Sequence, residues 1–339
     1  MNFYPLIVSE IIDETPLARS FILKVDDKYQ SQFNFKAGQF LSLRLSWQQS
    51  YLDRCYSLSN LPGDPTGLKI TVKRVKDGRA SNLLNDSIKE GDIIDVAPPS
   101  GRFTLSKNPP PSLTLFAAGS GITPVISIIK YALAETDLTI KLLYANSNRQ
   151  QSIFAAELEE LQQQYPDRFS CVHHISSESG RVDQKAVHHF INDNLQTHFY
   201  ICGPTPFMDL IENVLGEIGV ENNTIFTERF ISDAEPAIDE KPDIATDINS
   251  FTAILDDTKH TVPYLEGKTL LESMLAHDLK PAYFCQQARC GMCMVTKLEG
   301  EVVMRNSEIL SATDKEKDMI LLCQSLPLTE NITVNCDLK

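Results

Sequence analysis

Pro281-Ala282-Tyr283-Phe284-Cys285-Gln286-Gln287-Ala288-Arg289-Cys290-Gly291-Met292-Cys293 places three thiols within nine residues, and a fourth, Cys323, follows after 29 more. The pattern Cys-x4-Cys-x2-Cys…Cys is a ligation spacing for a [2Fe–2S] cluster, whose two irons require four thiolates. One loop supplies three of them only by wrapping around the cluster. Small residues such as Ala288 and Gly291 let the backbone come close and aim its amides at the sulfides. Two other readings compete. Structural zinc prefers two paired Cys-x2-Cys knuckles, whereas here the fourth ligand stands alone. Buried thiols without any metal are the plainest alternative, and the spacing argues against them. Cys336 lies outside the pattern and reads as a structural thiol.

Outward from this loop, the chain divides into blocks of different rhythm. Residues 249–339 open with a β-like run near Phe251, continue with a helix expected over 270–277, and then reach the cysteines. Residues 232–248 are dominated by acids and proline, with too few apolar side chains to pack, and read as a linker extended by self-repulsion. Over 107–231, apolar strand candidates at 113–117, 138–144 and 199–202 alternate with helical stretches. The clearest helix spans 154–165, with Leu158, Leu161 and Tyr165 on one face. Such alternation means βαβ units on a parallel sheet, with ligand at the carboxyl ends of the strands. Residues 1–106 show short alternating runs, such as Phe40-Leu41-Ser42-Leu43-Arg44-Leu45, broken by Gly, Pro, Asp and Asn. They predict an antiparallel barrel or sandwich, and the resemblance given below selects the β-barrel. No internal repeat is evident.

The 339 residues suit two or three domains. The balance of 31 basic to 45 acidic residues, a net charge of −14, argues against nucleic acid or an anionic membrane as partner. The opening Met1-Asn2-Phe3-Tyr4-Pro5 has no basic leader, so no signal peptide is expected. The apolar stretch 113–134 is long enough to suggest a membrane span, but Gly119, Gly121 and Pro124 interrupt it, and strand, turn and helix fit better. Eight cysteines in a long, leaderless chain, three of them clustered, point to reduced thiols and a cytoplasmic setting.

The segment 281–293, together with Leu321-Leu322-Cys323-Gln324, resembles the cluster loop of plant-type ferredoxins, with Cys285, Cys290, Cys293 and Cys323 as ligands. The resemblance implies an α+β, β-grasp-like domain. Those ferredoxins carry glycine where this chain has Ala288, and alanine tolerates positive φ poorly, so a loop of slightly different shape is expected.

Arg54-Cys55-Tyr56-Ser57 resembles the R-x-Y-S signature of the ferredoxin-NADP reductase superfamily. An arginine suits a flavin phosphate, an aromatic ring packs on the isoalloxazine, and a hydroxyl, here Ser57, stands near its reactive nitrogen. Gly78-Arg79-Ala80-Ser81 is similar to the family loop whose amides hold a pyrophosphate at a helix start, and Pro99-Ser100-Gly101-Arg102-Phe103 to the turn closing the flavin barrel. The same resemblance assigns Val72 and Arg74, on the preceding strand, to the flavin. FAD is favoured over FMN.

Gly119-Ser120-Gly121-Ile122-Thr123-Pro124 follows a strand candidate and opens a helix, so its amides can meet a dinucleotide pyrophosphate. It is not the G-x-G-x-x-G fingerprint, and close packing of a βα turn is the plainer reading when it is taken alone. With Cys202-Gly203-Pro204 it resembles the nicotinamide domain of the same superfamily. That likeness puts Cys202 near the carbon that gives up hydride, Thr123 toward the flavin, and the aromatic ring of Phe230 over it; Phe230 as a core residue remains the alternative. For the nucleotide, Arg149 favours NADPH, whereas Ser176-Ser177-Glu178, where many NADPH-using relatives carry Ser-Arg, favours NADH. His173-His174 and His188-His189 do not converge and read as solvent-facing.

The module order flavin, nicotinamide, ferredoxin implies an NAD(P)H-dependent oxidoreductase. Hydride is taken on the flavin and single electrons leave through the cluster to a partner protein. The resemblance covers nearly the whole chain outside the linker and extends to the reductases of phenylacetyl-CoA epoxidase, ketosteroid hydroxylase, acyl-CoA desaturase and hybrid-cluster protein systems. An oxygenase, desaturase or hybrid-cluster protein is therefore the expected acceptor. An FMN-bearing reductase of the phthalate dioxygenase type and a non-enzymatic redox sensor are the alternatives.

Overall fold

The computed structural model describes residues 2–192, 195–230 and 248–337. The expected acidic linker lies, except for Ile248, outside the described residues. The first two sheets belong to one compact unit and the last two to another.

In the first sheet, β1 (Tyr4–Thr15), β2 (Ala18–Lys24), β3 (Phe40–Trp47), β4 (Ser50–Ser57), β5 (Leu68–Lys73) and β6 (Ile93–Ser100) run antiparallel in the order β4-β3-β6-β1-β2-β5. Alternate residues such as Leu6, Val8, Leu41, Leu43 and Ile70 turn inward, as period-two alternation predicts. Leu58, just past β4, bridges to Ile70 on β5, which joins the two edge strands and makes the sheet a barrel. Helix α1 (Arg79–Ser87) packs Ala80 and Leu84 onto it.

The second sheet is parallel throughout. Strands β7 (Ser112–Ala118), β8 (Thr139–Asn146), β9 (Phe169–Ile175), β10 (His198–Gly203) and β11 (Ile225–Arg229) lie in the order β11-β10-β7-β8-β9. Helices α2 (Ile122–Glu135), α3 (Ala155–Gln164), α4 (Ser176–Ser179), α5 (Gln184–Ile191) and α6 (Thr205–Glu217) alternate with them. Leu115 and Ala117 of β7 enter a core with α2 and α3, and Phe116 enters a second core with α5 and α6. Burial on both faces explains why β7 is a continuous apolar run. The stretch that suggested a membrane span is β7, a glycine turn and α2. No helix among the described residues is long and apolar enough to cross a membrane.

In the second unit, β12 (Ser250–Leu255), β13 (Thr258–Pro263), β14 (Met294–Glu299), β16 (Met319–Leu321) and β18 (Thr333–Asn335) form a mixed sheet ordered β13-β12-β18-β14-β16, with β15 (Val302–Met304) and β17 (Ser325–Pro327) paired apart. Helix α7 (Leu270–Ala276) begins in a capping box of Thr269 and Glu272 and buries Leu270, Leu271 and Met274. A short α8 (Ala312–Glu316) precedes β16. One helix packed on a mixed sheet is the β-grasp-like arrangement expected.

Candidate functional site

The R-x-Y-S residues end β4. Arg54 donates through Nη1 to the Asp53 carbonyl at 2.8 Å, and Tyr56 is half-buried. Ser57 is buried, yet its Oγ has no hydrogen-bond partner. A buried hydroxyl left unpaired is costly, so this atom fits a polar ligand at the barrel edge. Gly78 starts α1, and a Cβ there would lie 2.6 Å from Ser81 Oγ. Ser81 Oγ accepts from Val75 N at 3.2 Å, and Ala80 is buried beneath the turn, while Arg79 is exposed. Val72 faces the barrel core. The Arg74 guanidinium is held by Asp86, at 2.7 and 2.9 Å, and by Asn82.

The glycine turn 119–121 links β7 to α2. Gly119 has φ +54°, where glycine is favoured, whereas Gly121 has an ordinary φ and is needed for space. A Cβ on Gly121 would stand 2.2 Å from the Cys202 carbonyl oxygen and 2.8 Å from Gly203 N. The two nicotinamide motifs are thus in direct backbone contact. Ile122 and Pro124 are buried in the first turn of α2, Ser120 is half-buried, and Thr123 donates its hydroxyl to the Ser120 carbonyl at 3.0 Å. Pro204 caps α6. Phe230, just past β11, is 40% exposed.

Helix α2 also ties this turn to the barrel. Ser127 Oγ donates to the Asn60 carbonyl at 2.8 Å and Lys130 Nζ to the Ser59 carbonyl at 3.1 Å. Both acceptors lie within three residues of Ser57, so the R-x-Y-S edge and the helix that starts at the glycine turn hold a fixed relation.

Three residues to which the motifs give no role stand nearby. Lys73, the last residue of β5, brings its Nζ to 3.7 Å from where a Gly119 Cβ would be, and burial holds its pKa below the ordinary lysine value. Glu228 is the β11 partner of Cys202. Its Oε2 is enclosed without a partner, and burial pushes its carboxyl up to about 8. Burial, with Glu228 adding to it, pushes the Cys202 thiol well up, so Cys202 is a neutral thiol. Asn146, which ends β8, is buried with both side-chain polar atoms unpaired. Lys73 carries no motif, and Glu228 belongs to Glu228-Arg229-Phe230, which resembles the end of the nicotinamide domain but gives a role to Phe230 alone. An orphan lysine ending a strand two residues after a buried Thr71 gives no sequence signal.

In the second unit the four cysteines converge in pairs. The Cys285 thiol is pushed up first by its contact with Cys290, and Cys293 first by its contact with Cys323, which is itself lowered. Neither pair holds two thiolates unaided, and a bound metal group would resolve that conflict. Gln287 N and Arg289 N donate to Cys285 Sγ at 3.4 and 3.3 Å, and Gln324 Nε2 donates to Cys323 Sγ at 3.4 Å. Among the described residues no three Cys, His, Asp or Glu side chains gather at a single-metal site. Two thiol pairs that accept from amides suit a two-iron group held by four thiolates. Ala288 is buried with φ +55°, flanked by Gln286 at +52° and followed by Gly291 at +65°. Alanine takes the left-handed conformation here, at about 1 kcal/mol of strain. His173 and His174 alternate on β9, and His188 and His189 sit in the last turn of α5.

Family models match in the same order: an oxidoreductase FAD-binding domain over residues 5–105, an oxidoreductase NAD-binding domain over 115–213, and a 2Fe-2S iron-sulfur cluster binding domain over 253–328. The chain is 37% identical to the ferredoxin reductase component of 3-ketosteroid-9-alpha-monooxygenase from Rhodococcus rhodochrous, over 97% of this chain and 95% of that one. It is 29% identical to one of the subunits of 1,2-phenylacetyl-CoA epoxidase from Escherichia coli, over 100% and 99%. Phthalate dioxygenase reductase shares the fold, with a TM-score of 0.63 at 24% identity, over 98% of both chains. The chain belongs to the family of ferredoxin reductases that join an FAD-binding, an NAD-binding and a [2Fe–2S]-binding domain in one polypeptide.

Proposed function

We propose that this reductase draws electrons from a nicotinamide nucleotide and supplies them singly to an oxygenase, with a desaturase or hybrid-cluster protein as the other acceptor classes. In this reading residues 1–106 hold FAD, 107–231 the nucleotide and 249–339 the cluster, with 232–248 as linker, and the chain works in the cytoplasm. Arg54 and the α1 start at 78–81 hold the flavin phosphates, with Tyr56 against its ring. Ser57, Thr123 and Cys202 surround the hydride-transfer position. Lys73 faces the nucleotide pyrophosphate over Gly119. Cys285, Cys290, Cys293 and Cys323 ligate the [2Fe–2S] group. Bound there, FAD would take both electrons of a hydride and release them singly, and the [2Fe–2S] group would carry one at a time.

The observation that carries this reading is the pairing of Cys285 with Cys290 and of Cys293 with Cys323 on a chain whose other unit fixes the Ser57 edge against α2. The chain's own residues have two tasks: α2 holds both cofactor edges in register, and the cluster loop shields the thiols from water. The purified chain is expected to reduce cytochrome c at the expense of NADH or NADPH. Cys293→Ser should abolish cytochrome reduction while the nucleotide still bleaches the flavin. Equal cytochrome reduction by that variant and the wild type would refute the cluster as exit.

A further inference from the structure

We propose that the side-chain amide of Gln324 tunes the reduction potential of the [2Fe–2S] group by donating to the Cys323 sulfur, while it ties that lone ligand to the three-cysteine loop. The inference rests on the ligand set proposed above. Gln324 follows the fourth cysteine and is 7% exposed. Its backbone is engaged on both sides: its N–H donates to the Leu321 carbonyl at 2.9 Å, and its carbonyl accepts from Arg305 N at 3.0 Å. The side chain therefore springs from a fixed base.

From there Nε2 meets three acceptors: the Gln286 carbonyl at 3.3 Å, the Cys323 carbonyl at 2.9 Å and Cys323 Sγ at 3.4 Å. Two carbonyls and a sulfur around one atom identify it as the nitrogen of the amide. Gln286 directly follows Cys285 and holds φ +52°, so one side chain spans from the loop bearing three cysteines to the fourth. The amide has two N–H groups for these three acceptors. A neutral thiol is the weakest of the three, and the carbonyls would take both. A ligating sulfur carries negative charge, which makes it a strong acceptor and draws one N–H to it.

The consequence is electrostatic. Reduction adds one negative charge, part of which falls on the cysteine sulfurs. A donor aimed at a sulfur stabilises the reduced state more than the oxidised one, and so raises the potential. Its burial strengthens the effect, because little water competes for the sulfur. Cys285 Sγ also accepts, but from the backbone amides of Gln287 and Arg289, which the chain keeps whatever side chains stand there. The bond to Cys323 comes from a side chain, so a substitution can remove it. The potential it sets decides how electrons divide between flavin and cluster.

The test is a redox titration of the full-length holoprotein, followed by electron paramagnetic resonance and by the flavin and cluster absorbance bands. Gln324→Met keeps the side-chain length and removes the donor. It should lower the cluster midpoint by the equivalent of roughly tenfold in the reduction equilibrium, about 59 mV for one electron, and leave the flavin midpoint where it is. Ser325→Ala removes a buried hydrogen bond one residue away, from Ser325 Oγ to the Leu321 carbonyl, without touching a sulfur. It should leave the cluster midpoint unchanged. An unchanged or higher midpoint in Gln324→Met, or an equal fall in Ser325→Ala, overturns the proposal alone. In reduced wild type isotopically labelled at the glutamine side-chain nitrogen, that nucleus should couple to the electron spin of the cluster. Absence of the coupling overturns the proposal even where Gln324→Met takes up no cluster. Wild type that holds zinc, or no metal, at the four cysteines overturns the ligand set together with this inference.

Discussion

In the function proposed above, the glycine turn at 119–121 and the cluster loop at 286–291 meet the same demand, backbone amides brought close to a charged cofactor, with different residues. In the turn, Gly121 leaves no choice, because a Cβ would stand 2.2 Å from a backbone oxygen on β10. In the loop, Ala288, where the resemblance to plant-type ferredoxins led glycine to be expected, adopts φ +55° with its methyl group in the core that includes Cys293 and Leu322. The two positions differ in the kind of cost. A steric overlap with backbone cannot relax without moving a strand, whereas a left-handed alanine costs about 1 kcal/mol and leaves neighbours in place.

The sharpest way to break this comparison is Gly121→Ala. It should push the turn off Cys202 and lower NAD(P)H-dependent turnover at least roughly 100-fold, since a shift of about 1 Å in a positioned substrate has that effect. Steady-state kinetics with both nucleotides read it, and turnover near wild type would mean the two motifs are not locked together. An intermediate effect comes from the carboxyl behind the turn. Burial pushes the Glu228 carboxyl from an ordinary 4.5 up to about 8, so the native state keeps a proton that the unfolded chain releases. Its contribution is full below about pH 4.5 and is lost as pH rises through about 8. Glu228→Gln should therefore gain stability over wild type as pH rises from about 5.5 to 8.5, by on the order of 3 kcal/mol, read from thermal melts at each pH. The smallest effect belongs to the loop: Ala288→Gly should change stability by about 1 kcal/mol or less, because relief of strain is offset by the greater freedom of the unfolded chain.

Much of this was legible because local chemistry and fold agree. The alternation over 40–45 became β3, the apolar run at 113–117 became β7, and the spaced cysteines converge in space. Motifs at strand ends were readable since a turn at a carboxyl end must hold particular residue types. What escaped reading depends on non-local pairing. Lys73 gains its place only because β5 ends opposite the glycine turn, and Glu228 only because β11 adds beside β10 in the register that faces Cys202. Arg149 and Glu178, read separately, pointed to opposite nucleotides; 29 residues apart, they are bonded to each other. At Ala288 the sequence departure was visible, but its consequence was not: the alanine itself takes positive φ.

The central claim, a two-iron exit station fed by a flavin, is tested most directly by counting electrons. Anaerobic reductive titration of the purified holoprotein, followed in the flavin and cluster absorbance bands, should consume about three electrons per chain, two for FAD and one for the cluster. Cys293→Ser should consume about two. A wild-type count of about two, with zinc at the four cysteines, would contradict the account.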